Sequence, residues 1–111
     1  EALRWLDHLK IGGKMVINDY RIQPVPVNLG VAEYPEGIID HLKEKCEVLS
    51  FKAAEVATEL GNPKAMNIVL LGALVKAMGL DEIDWDAEIE ANVKAKFIDL
   101  NKKAFHAGYS L

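Results

Sequence analysis

Three histidines, one cysteine and a run of acidic residues hold most of the reactive side chains in this sequence. His8, His41 and His106 are too widely spaced for any two to share one helical turn as a ligand pair. A catalytic histidine also needs a nucleophile or carboxylate beside it, and spacing supplies none. All three read as surface or capping histidines. Cys46 sits where a helix should meet a strand, on the apolar side. Glu44 and Glu47 flank it and oppose a thiolate, so it reads as a buried, inert thiol. The acidic run Asp81, Glu82, Asp84, Asp86, Glu88 and Glu90 suggests calcium but fails the EF-hand spacing. Counted from Asp84, the sixth position is Ile89 rather than glycine and the twelfth is Ala95 rather than glutamate. A helix amino terminus, which favours negative charge, explains the run better. Gly12-Gly13 precedes a strand, whereas a phosphate-cradling loop follows one, so the pair reads as a turn. Arg21 falls just past a strand, where open α/β sheets bind ligands, although a solvated loop arginine is the favoured reading. No nucleophile elbow, Walker sequence, zinc-protease helix or Cys-x-x-Cys pair is present. The residues therefore suggest no catalytic, cofactor-binding or metal-binding set.

The elements that position these residues follow from apolar spacing. Glu1 to Lys10 has a helical stripe closed by Gly12-Gly13. Lys14 to Asn18 and Glu47 to Phe51 are short apolar runs that read as strands, the first buried on both faces as in parallel sheets. Asp19 to Glu33, with Pro24, Pro26 and Gly30, reads as an extended loop with an edge strand. Pro35 opens a second helix, Glu36 to Lys45. Ala53 to Leu60 forms a third, closed by Gly61. Asn62 and Pro63 cap and start a fourth, Lys64 to Met78. Asp84 caps a fifth carrying Ile89, Val93 and Phe97, with Glu90 and Lys94 spaced as a surface pair. Ile98 to Ala107 is the last, ended by Gly108. The fourth helix is apolar nearly all round; only Lys64, Asn67 and Lys76 are polar. Such a helix needs burial on more than one side. Its second face is expected to meet a missing amino-terminal part, a second copy or another subunit. Asn67 either faces solvent or bonds a neighbouring loop or subunit. Gly72 leaves room for close backbone approach. Asn101, Phe105 and Gly108 share a face, for terminal packing or for an interface. Asn67, Gly72, Asn101 and Phe105 are thus the candidate interface residues.

Two strands joined through a helix make a parallel crossover. The expected fold is α/β, a three-layer α-β-α arrangement with a mostly parallel sheet only partly present. Residues 1–111 form one partial domain with a helix-rich carboxy-terminal half. The chain starts inside a helix without Met, a basic segment or an apolar core of a signal peptide, which suggests a fragment. Of its 111 residues 50% are hydrophobic and 27% charged, as in ordinary soluble domains. The net charge of −4 disfavours nucleic acid and anionic membrane surfaces as partners. One cysteine is too few for a disulfide, a four-cysteine zinc site or an iron–sulfur cluster, and fits a reducing cytoplasm.

Two segments resemble a known family. Gly61-Asn62-Pro63-Lys64-Ala65-Met66-Asn67-Ile68-Val69-Leu70-Leu71-Gly72-Ala73-Leu74 and Leu100-Asn101-Lys102-Lys103-Ala104-Phe105-His106-Ala107-Gly108 resemble the gamma-type domain of 2-oxoacid:ferredoxin oxidoreductases. That domain has a Gly-Asn…Asn-x-x-x-Leu-Gly-Ala element and a closing Asn-x-x-Ala-Phe-x-x-Gly element. The opening helix, the Gly-Gly turn, Val16-Ile17-Asn18 and Pro24 also fit, so the resemblance spans essentially the whole chain. Tyr34-Pro35 and Trp85 incline it towards the beta subunit of the indolepyruvate branch. The resemblance implies an accessory, non-catalytic part of a complex. That complex oxidatively decarboxylates an aryl 2-oxo acid to an acyl-CoA and passes electrons to ferredoxin. Thiamine diphosphate and iron–sulfur clusters are expected in a larger alpha subunit, with homo-oligomerisation a further option. The family's glycine-rich first turn is absent here, so no contact made through it is assigned to this chain. The residues alone also allow a small-molecule-binding α/β module or a scaffold domain of an unrelated complex.

Overall fold

A computed structural model describes all of residues 1–111. Strand β1 (Lys14–Asn18) pairs in parallel with β2 (Glu47–Phe51), from Lys14 opposite Glu47 to Asn18 opposite Phe51. The connection between them contains α1 (Val25–Asn28) and α2 (Ile38–Lys45). Helices α3 (Ala53–Glu59), α4 (Met66–Met78), α5 (Trp85–Asn92) and α6 (Ile98–Tyr109) follow. Short 3₁₀ turns lie at Leu6–His8, Pro63–Ala65 and Ala95–Phe97. The result is a helix-rich α/β fold with a small parallel sheet, α2 packing on β2 and α4 on β1.

The core lies in the second half. Ala53, Ala57, Ala65, Val69 and Ala104 form one buried cluster, and Val75, Ile89 and Phe105 a second. Small residues dominate because α4 and α6 cross almost backbone to backbone. A Cβ on Gly72 would lie 2.0 Å from the Phe105 carbonyl oxygen, and one on Gly108 would lie 1.8 Å from that of Val69. Gly108 therefore sits inside α6, which continues to Tyr109, and does not end the helix. It is glycine because nothing larger fits under α4. The apolar surface of α4 is covered in part in the same way. Helices α3 and α6 and strand β1 pack on it within the chain, while Leu74 and Met78 stay 38% and 59% exposed, so one stripe of the helix is left for an outside surface.

The first half departs further from its sequence pattern. The helix expected over residues 1–10 contracts to the turn Leu6–His8. Leu3 and Trp5 stay exposed, and a short amphipathic stretch without a surface to bury its stripe is marginal in water. The loop after β1 holds the single helical turn α1 in place of an edge strand, with prolines at its start. Helix α2 begins at Ile38, because Gly37 takes a left-handed conformation (φ 66°) that interrupts the chain before it. Both strands lie where expected, but β1 is only half-buried rather than covered on both faces. Asn62 caps the 3₁₀ turn before α4, its Oδ1 accepting from Lys64 N at 2.9 Å. Helix α5 stops at Asn92; Val93 caps it and still packs on the cluster of Ile89, whereas Phe97 lies beyond and does not. Glu90 consequently pairs with Lys102 on α6 instead of Lys94.

Candidate functional site

A cleft of about 410 Å³ lies at the carboxyl end of β1, between the segment that leaves it and the start of α2. Its floor is the end of β1. The Asn18 Oδ1 accepts from the backbone N–H of Ala53 at 3.2 Å, and its Nδ2 donates towards the Met66 sulfur at 3.6 Å. One side chain thus ties the strand end to the starts of α3 and α4. The chain then turns outwards, and the Arg21 guanidinium stacks 3.8 Å from the centre of the Tyr34 ring. No carboxylate in the chain forms an ion pair with Arg21. Asp19, Glu36 and Asp40 share the cleft, and α2 starts there without a side-chain cap. Open α/β sheets bind ligands at this end of their strands. An always-charged guanidinium held by an aromatic face can bind and orient a ligand, but it moves no proton.

A second groove lies between α5 and α6. Its carboxylates are engaged within the chain. Asp84 caps α5 by accepting from Ala87 N at 3.2 Å, as the sequence suggested. Asp86 faces His106 Nε2 at 2.9 Å, and Asp81 accepts from the Tyr109 hydroxyl. That hydrogen bond, with burial and the carboxylate's charge adding to it, holds the Tyr109 phenol above its usual range. The hydrogen bond from Lys102 to Glu90 likewise raises the ammonium, against a smaller opposing effect of burial. Trp85 donates to the Leu80 carbonyl at 2.9 Å and stacks on Phe105 with ring centres 5.9 Å apart. These contacts tie α5 and the loop before it to α6, and they engage Asp81, Asp84, Asp86 and Glu90 of the acidic run.

The candidate interface residues divide. Asn67 is exposed, and its Oδ1 accepts only from its neighbour Ile68 N at 3.0 Å. Asn101 is half-buried and donates to the Phe97 carbonyl at 2.8 Å. Gly72 and Phe105 are buried within the chain, where they meet α6 and the α4–α5 side respectively. Cys46 is half-buried rather than buried, its thiol directed to the Leu42 carbonyl at 3.4 Å. The three histidines are exposed and lie in different parts of the fold. No three His, Cys, Asp or Glu side chains gather into a metal-binding group. No helix is long and apolar enough to cross a membrane. Sequence reasoning missed the Arg21–Tyr34 stack and the Asp86–His106 pair, because neither pair has a local spacing signal. The small residues Ala104 and Gly108, one helical turn apart opposite Gly72 and Ala73, did carry a signal for the close crossing.

Comparison with known proteins agrees with this picture. The family model described as pyruvate ferredoxin/flavodoxin oxidoreductase matches residues 1–111. The chain is 38% identical, over 97% of its length, to the indolepyruvate oxidoreductase subunit IorB of Thermococcus kodakarensis, and covers 56% of that protein. It is 37% identical over 97% of its length to the subunit of the same name from Pyrococcus horikoshii, again covering 56%. For that of Archaeoglobus fulgidus the identity is 32%, over 99% of this chain and 57% of the relative. The chain therefore spans a little over half the length of the curated relatives it matches. No solved structure matches it. With a family model covering it from end to end, the chain belongs to the pyruvate ferredoxin/flavodoxin oxidoreductase family.

Proposed function

We propose that this chain is the greater part of an accessory subunit in an indolepyruvate:ferredoxin oxidoreductase complex of the cytoplasm. The observation that carries this is its 38% identity, over 97% of its length, to a protein named as a subunit of indolepyruvate oxidoreductase. The complex would oxidatively decarboxylate aryl 2-oxo acids to acyl-CoA and pass the electrons to ferredoxin. One cysteine supplies one thiolate, so the residues present do not fit an iron–sulfur cluster. Clusters and thiamine diphosphate are assigned to a larger alpha subunit, and this chain to shaping and stabilising the assembly. The test is reconstitution of the full-length subunit with the alpha subunit, assayed with indolepyruvate, CoA, thiamine diphosphate and a viologen acceptor. Turnover should require both subunits. Turnover by this subunit alone would overturn the accessory role, and a complex inert towards indolepyruvate would overturn the branch.

The cleft at Arg21 favours a second reading, a small-molecule site on this subunit. Arg21→Ala in the complex separates the two. A raised KM with unchanged subunit association supports the second reading, and unchanged kinetics supports the first.

A further inference from the structure

We draw no further inference here: the strongest candidate, the uncharged loop between Arg21 and Glu33 that leaves β1 with Ile22, Val25, Leu29 and Val31 exposed, carries none because nothing in the structure shows what covers it.

Discussion

The two halves of the chain bury their apolar residues very differently. From Ala53 onwards, α3, α4, α5 and α6 enclose two buried clusters, and backbones touch where Gly72 and Gly108 face the opposite helix. Before Ala53, Leu42 is the only buried apolar side chain, while Ile11, Ile22, Leu29 and Val31 face solvent. The radius of gyration, 15.8 Å, reflects this, against about 13 Å for a compact domain of 100 residues. The contrast assigns different work to the halves. The second is a clamp of helices that packs its two buried clusters against itself. The first is an open sheet edge, a cleft and an uncharged loop, whose apolar side chains stay uncovered within these 111 residues.

Truncation inside each half should expose the difference. Phe105→Ala empties a site shared by α4, α5 and α6 and should destabilise the subunit by about 3–5 kcal/mol. Leu49→Ala on the half-open β2, where Leu49 is already 37% exposed, should lose less than about 1 kcal/mol. Chemical denaturation of both variants measures the gap, and equal losses would show that the first half is as tightly packed as the second. Gly108→Ala and Gly72→Ala come next. Alanine gains helix propensity, worth about 1 kcal/mol over glycine in an open helix. At these positions the methyl would collide with backbone atoms 1.8 and 2.0 Å away, which cannot rotate aside. Net destabilisation of about 1–3 kcal/mol is expected, seen as a lower melting temperature. A variant that melts higher would mean the helices stand further apart.

How far the sequence discloses this depends on whether a signal is local. Strands β1 and β2, the cap at Asp84 and the helices from α3 to α6 are legible because apolar runs, capping side chains and glycine stops act within a few residues. Gly108 misleads because a glycine that stops a helix and one that admits a neighbouring helix are the same letter; only the approach of Val69 distinguishes them. Residues 1–10 mislead in the opposite sense, since a helical stripe predicts a helix only where a surface exists to bury it. At the candidate site, the place of Arg21 past a strand end was legible from the general rule for α/β sheets. Its partner Tyr34 was not, because a non-helical loop sets no spacing between them.

The smallest expected effect concerns pH and again falls in the helical half. Tyr109 and Lys102 tie α6 to the loop before α5 and to α5 itself, through Asp81 and Glu90. Both folded groups have raised pKa values, from ordinary values of 10.0 and 10.5, chiefly because each donates a hydrogen bond to a carboxylate. A raised pKa means the folded state holds the proton more tightly than the unfolded chain does. The stabilisation is therefore complete below pH 10.0, the lower of the two ordinary values, and fades as the pH rises through the folded values. Both groups are solvent-accessible, so the loss should be modest and smaller in high salt. Tyr109→Phe keeps the ring against Phe105, with centres 6.3 Å apart, and removes only the hydroxyl. Denaturation midpoints between about pH 9 and 11.5 should fall less steeply for Tyr109→Phe than for the unaltered chain, since one of the two linked protons is gone. Superimposable pH profiles would show that the Asp81 contact does not persist in solution, leaving the stacked rings to hold this edge of the clamp.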